Sequence, residues 1–101
     1  MPFVNIVALL VTDQRMYAEY RRNMTPLLTA CGGMFQFDVE VSRDLKQPER
    51  KFNRLFAVQF PDRETRNHFF VDPQYLAIRA KYFNPAVASV HELGDFEGPL
   101  S

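Results

Sequence analysis

The sequence predicts an α+β fold in which the elements run strand, helix, strand, strand, helix, strand. Three observations carry this. The chain opens on a near-continuous apolar run, Phe3–Val11, rich in Val, Ile and Leu. Tyr17, Tyr20, Met24, Leu27, Leu28 and Cys31 then recur at steps of three and four, one stripe of a helix. After them, Phe35, Phe37, Val39 and Val41 alternate with Met34, Gln36, Asp38 and Glu40, the period of a strand.

Each element has local cause. Phe3–Val11 reads as a strand buried on both faces and bounded by Thr12-Asp13. Asp13 is positioned to cap the first helix, because its carboxylate can accept from the free N–H groups of the first turn. Pro26 lies inside that helix and is expected to kink or divide it. Gly32-Gly33 should end it, since glycine takes the left-handed conformation that closes a helix. A third strand spans Leu55–Phe60 and stops at Pro61-Asp62. Asp62 caps a short helix reaching Phe70 or Val71. Asp72-Pro73 restarts the helix, with Pro at its first position, where the missing N–H has no intrahelical partner to lose. Leu76, Ile78 and Tyr82 are expected to supply this piece's apolar contacts, until Asn84-Pro85 stops it. Ala86–Leu93 makes the last strand. This order is the split βαβ of ferredoxin-like folds: a four-stranded antiparallel sheet with two helical segments on one face.

The whole chain of 101 residues reads as a single domain, with its core over about residues 3–95, a mobile loop over about 43–52 and a tail at 96–101. A chain of this length buries about 65% of its unfolded surface, enough for one modest core. Hydrophobic residues make up 47%, with ten Phe, four Tyr and no Trp, which excludes a disordered chain. Net charge is zero, and nucleic-acid binding needs excess Lys and Arg to displace counterions. Arg54–Phe60 has the flavour of an RNA-recognition strand. Its aromatics, however, stand four apart and are expected under the helices, so no nucleic-acid partner is expected. The start of the chain lacks a basic segment, and Ile6–Val11 is too short for a signal or membrane span. With one cysteine, Cys31, expected to be free and buried, these features point to a cytoplasmic protein that does not engage membranes. No spacing suits a metal or a cofactor phosphate: His68 and His91 are isolated, and Gly32-Gly33 is a helix stop.

Assigning faces raises the question of function. Val4, Ile6, Ala8 and Leu10 are placed under the helices, with Phe35, Phe37, Val39 and Val41, with Phe56, Val58 and Phe60, and with Ala86, Ala88 and Val90. The uncovered face then carries Phe3, Val7, Leu9, Val11, Leu55 and Val87. That is too much apolar surface for water, and a second copy packed sheet to sheet would cover it. Its polar members are Asn5, Gln36, Asp38, Glu40, Gln59, Ser89 and His91. Polar groups converging in an apolar enclosure mark a small-molecule pocket. His91 beside Asp38 or Glu40 would form an acid–base pair, with the carboxylate orienting the imidazole. Asn5, Gln36, Gln59 and Ser89 would orient a small organic substrate. Against this stands the plainer role of Asp38, Glu40 and His91 as solvated groups at a dimer rim, and of Asn5 and Gln59 as partners in a buried interface. Tyr17 and Tyr20 are read as core rings whose hydroxyls can reach a partner.

Four features carry a family resemblance: Tyr17-x-x-Tyr20, Gly32-Gly33, Phe60-Pro61-Asp62 and Asp72-Pro73-Gln74-Tyr75. In order and spacing the chain resembles the dimeric α/β-barrel superfamily, and within it the bacterial family called domain of unknown function thirteen-thirty. The resemblance implies a homodimer whose sheets enclose a cavity. It also implies kinship with cofactor-independent monooxygenases, isomerases and haem-dependent enzymes, but no established reaction for the family itself. The expectation is a homodimer that binds a small organic metabolite without a cofactor, either as an enzyme of acid–base chemistry or as a non-enzymatic ligand-binding or dimerisation module.

Overall fold

A computed structural model describes residues 1–99. Strand β1 spans Phe3–Val11, helix α1 Gln14–Ala30, β2 Met34–Glu40, β3 Arg54–Phe60, α2 Arg63–Val71, and α3 Pro73–Ile78, continued by a π-helical turn over Arg79–Phe83; β4 spans Val87–Glu97. The sheet is antiparallel in the order β2-β3-β1-β4, which puts the two most apolar strands at its centre. No helix among the described residues is long and apolar enough to cross a membrane.

The predicted caps form. Asp13 accepts from the N–H of Met16 and Asp62 from that of Thr65, while Asp72 accepts from Gln74 and Tyr75. Helix α1 runs through Pro26 undivided, because Pro26 lies on the exposed face, where the Arg22 carbonyl it leaves unpaired can be hydrated. Its end is a Schellman closure: Gly33 N–H donates to the Leu28 carbonyl at 2.8 Å and Gly32 N–H to that of Thr29 at 3.0 Å. Gly32 has φ +84°, and a Cβ there would stand 2.9 Å from Cγ of Pro61. A Gly32→Ala variant is therefore expected to lose about 1–2 kcal/mol in urea denaturation, from the left-handed backbone and the crowding together.

The faces of three strands are corrected. In β1 the row under the helices is Phe3, Asn5, Val7, Leu9 and Val11. Val7, Leu9 and Val11 join Tyr17, Tyr20, Met24, Leu28, Val58 and Phe60 in the core. Val4, Ile6, Ala8 and Leu10 lie on the other face, level with Gln59, Ala57 and Leu55. Both rows of β1 are apolar, so its composition alone could not orient it; the register against β3 does. In β2 the alternation is broken by a bulge at Gln36, between the Phe35–Val58 and Phe37–Ala57 pairs. Phe35, Asp38 and Glu40 therefore share the helix side, while Phe37 and Val39 face away. Similar irregularities in β4 turn Val87 toward the core and leave Ala88 exposed. That strand also runs further than expected, taking in Phe96 and Glu97 of the predicted tail; residues 100–101 of that tail lie outside the described residues.

Two smaller expectations also change. Leu76 is exposed, and Tyr75 and Phe83 are the buried side chains of the α3 region, because capping by Asp72 turns Tyr75 toward the sheet. Cys31 is only half-buried, and its thiol donates to the Leu28 carbonyl at 3.2 Å.

Candidate functional site

Between the sheet and the helices lies a cavity of about 230 Å³. Its floor is the helix-side row of the central strands, Asn5, Val7 and Leu9 with Phe56, Val58 and Phe60. Its roof comes from α1 (Tyr17, Tyr20, Met24), α2 (Arg66, Phe69, Phe70) and the α3 region (Tyr75, Arg79, Phe83). Tyr75, Arg79 and Phe83 reach it together because they are spaced four apart on one helical face. Phe35 of β2 and Val90 and Glu92 of the edge strand β4 complete the lining; Val90 and Glu92 are exposed, so the cavity meets the surface there. The rings hold one another: Tyr20 and Phe83 have centroids 4.9 Å apart, and Phe69 and Tyr75 4.6 Å. Such tilted and edge-on packing builds a stiff apolar wall.

The polar groups fall in two sets. Tyr20 and Tyr75 are 5% and 1% exposed, and their hydroxyl oxygens are 2.8 Å apart. Arg79 Nη1 donates to the Tyr75 oxygen at 3.4 Å, and its guanidinium lies 4.5 Å over the Phe83 ring. Burial first, and then the Tyr75 hydroxyl beside it, push the Tyr20 hydroxyl well above the ordinary tyrosine range. Tyr20 thus stays protonated, so its hydroxyl can donate a hydrogen bond but does not act as a base. The second set is Asn5, 3% exposed, whose Oδ1 accepts from Arg66 Nε at 3.2 Å. Arginine can only donate, so this bond fixes which end of the amide faces it.

Of the residues selected from sequence, Asn5 alone lines this cavity. Gln59, Ser89 and His91 lie on the other face of the sheet, and the bulged Gln36 is exposed. Asn5 and Gln59 sit on adjacent central strands but point to opposite faces, so they do not bond each other. His91, on edge strand β4, lies tilted against Phe52, centroids 6.3 Å apart. Asp38 and Glu40 belong to the opposite edge, three strand spacings or about 14 Å away, and to the opposite face. The acid–base pair expected from His91 and Asp38 or Glu40 is therefore not assembled within the chain. Asp38 instead accepts from Arg54 Nε and Nη2 and from Arg21 Nη1, all at 2.8 Å. Among the described residues no three His, Cys, Asp or Glu side chains cluster as metal ligands would.

Sequence reasoning missed Arg66, Tyr75, Arg79 and Glu92. Signals for three of them were present: Tyr75 stands at the capped helix start, Arg79 follows it by one turn, and Glu92 alternates with Val90. Arg66 carried none, because its meeting with Asn5 spans 61 residues of sequence.

Comparison with known proteins places this geometry. The model of the domain of unknown function DUF1330 matches residues 5–90. No curated protein matches. Among solved structures, a protein of unknown function from Rhodopseudomonas palustris superposes with TM-score 0.81 at 17% identity, covering 99% of this chain and 83% of that one. A hydroxynitrile lyase from Passiflora edulis gives 0.67 at 16% identity, over 94% and 91% of the two chains. A dimeric protein of unknown function with a ferredoxin-like fold, from Bacteroides fragilis, gives 0.62 at 14% identity, over 96% of each. At these identities the likeness is one of fold.

Proposed function

Since the chain belongs to the DUF1330 family, for which the family description assigns no reaction, we propose a function from the cavity: this is a homodimeric protein that binds a small organic molecule between its sheet and helices. The observation that carries the reading is a largely aromatic cavity with buried polar groups at two places and an opening at β4. At about 230 Å³ it is larger than the ~150 Å³ apolar cavity that takes up benzene, so a substituted single ring fits. Self-association is supported by the other face of the sheet, where Met34, Val39 and Phe96 are exposed beside half-buried Ile6, Leu10 and Leu55. Similar folds known as dimers agree with it.

The test uses benzyl alcohol as a neutral, ring-sized probe, followed by ligand-observed NMR. Val90 lies at the opening and is 44% exposed, so a Trp can be accommodated there without overfilling the core. Val90→Trp is expected to weaken benzyl alcohol binding at least tenfold while the circular dichroism spectrum stays unchanged. Equal binding by both proteins would remove the cavity reading.

Cofactor-independent catalysis would be a further step on the same site, and one arrangement favours it. Glu92 is the sole carboxylate of the lining and would be the base. Tyr20, Tyr75 and Arg79 would stabilise negative charge developing on a substrate oxygen, as fixed donors in an apolar site do. In that role Glu92 replaces His91, so Glu92→Gln would abolish turnover while His91→Ala would preserve it.

A further inference from the structure

Hydrogen-bond arithmetic in the cavity narrows what it holds. Tyr20 and Tyr75 carry two hydroxyl hydrogens between them, and their mutual bond uses one. Arg79, which approaches Tyr75, only donates and so cannot take the second. One buried O–H is therefore left without an acceptor among the described residues. Asn5 spends its oxygen on Arg66, and its amide nitrogen has no acceptor there either. Arg66 gives Nε to Asn5 and one Nη1 hydrogen to Asn67, leaving the other Nη1 hydrogen and both of Nη2. Neither Arg66 nor Arg79 forms an ion pair with a carboxylate among the described residues, in contrast to Arg21 and Arg54. The tyrosine O–H is buried, and a buried donor without an acceptor is costly and normally satisfied; Arg66 and Arg79 are half-buried and present their free donors at the cavity. These unanswered groups of the cavity are all donors, and two of the residues bear positive charge.

Taking the cavity as the binding site proposed above, we propose that its ligand is a small aromatic or alicyclic carboxylate. The ring would occupy the cage of Phe and Tyr side chains. The carboxylate would accept from Arg66 and the Asn5 amide, or from Arg79 and the tyrosine pair; both sets ask for anionic oxygen. Arginine's planar fork suits a carboxylate better than any neutral acceptor. Glu92 opposes an anion, but it lies exposed at the opening, where water screens it.

The experiment is a titration calorimetry series with benzoate, benzyl alcohol and benzylammonium, probes that share a ring and differ in the charge of the head group. Benzoate is expected to bind at least tenfold more tightly than either of the others. The double variant Arg66→Gln/Arg79→Gln should erase that preference, weakening benzoate at least tenfold more than benzyl alcohol. Glu92→Gln should strengthen benzoate binding two- to fivefold, and since it adds no new cation, it is the control that keeps the test decisive if the double variant fails to fold. Benzyl alcohol bound as well as benzoate, or benzylammonium bound better, would overturn the carboxylate assignment and leave the cavity reading intact. Benzoate preference that survives the double variant, or benzoate binding that Glu92→Gln leaves unchanged or weakens, would overturn it as well. No binding of any probe would instead end the cavity reading itself.

Discussion

An Asp38→Ala variant is expected to be about 2–4 kcal/mol less stable than the parent, seen as a lower urea midpoint at unchanged slope. Asp38 is the shared anion for two arginines, Arg21 from α1 and Arg54 from β3. The bulge at Gln36 turns Asp38 to the helix side, and the two guanidiniums lie over neighbouring rings, Arg21 3.5 Å from the Phe35 centroid and Arg54 5.0 Å from that of Tyr17. About four-fifths of each charged side chain is removed from solvent. Removing one partner from a fully buried pair costs ~3–5 kcal/mol, mainly through the charge left behind, and the residual exposure here reduces that somewhat. The pH dependence has a definite sign. Burial alone would push the Asp38 carboxyl up, but the hydrogen bond from Arg54 and the charges of Arg21 and Arg54 outweigh it and hold the carboxyl below its usual 3.8. Its contribution is thus fully present above pH 3.8 and lost as the pH falls through the lower value in the folded protein. The stability gap between parent and variant should accordingly narrow in acid. A gap that stays constant from pH 6 to pH 2.5 would show that the carboxylate's charge is not what holds this corner.

Ile6→Lys is expected to weaken the proposed dimer by at least ~100-fold, giving monomers in light scattering coupled to size-exclusion chromatography. Ile6 lies half-buried on the central strand of the sheet face that carries no helix, next to Ala57 of β3. In a monomer the ammonium can reach water along its flexible stem, so the fold should persist. In a sheet-to-sheet dimer each copy would bury an uncompensated charge, at ~3–5 kcal/mol per charge. A parent that is itself a monomer at micromolar concentration would remove the dimer from the proposed function. The cavity would remain, since its lining comes from the other face.

The elements were legible in the sequence because their causes are local. Asp13, Asp62 and Asp72 cap helices within three residues of themselves, and Gly32-Gly33 closes α1 by bonds to the turn just before it. The element order follows from those boundaries. The helical stripe of Tyr17, Tyr20, Met24 and Leu28 was also readable, since a period of 3.6 marks a single buried face. Site residues were less accessible. Alternation in β2 placed Asp38 on the uncovered face, whereas one bulged residue, Gln36, sends it to the other.

The orientation of β1 shows where local information ends. Phe3, Asn5, Val7, Leu9 and Val11 on one side and Val4, Ile6, Ala8 and Leu10 on the other are both apolar enough to be buried. Only hydrogen-bond register with β3 decides between them, and a change of face there transfers Asn5 from a subunit interface to the floor of a cavity. Surplus apolar residues, an α+β element order and capped helix ends follow from the chain itself, through periodicity and short-range bonding. Which polar groups meet is set by pairings that span tens of residues, Asn5 with Arg66 and Tyr20 with Tyr75. Such contacts leave no periodic trace in sequence, because each is made once, between elements whose relative placement exists only after the sheet and helices have packed.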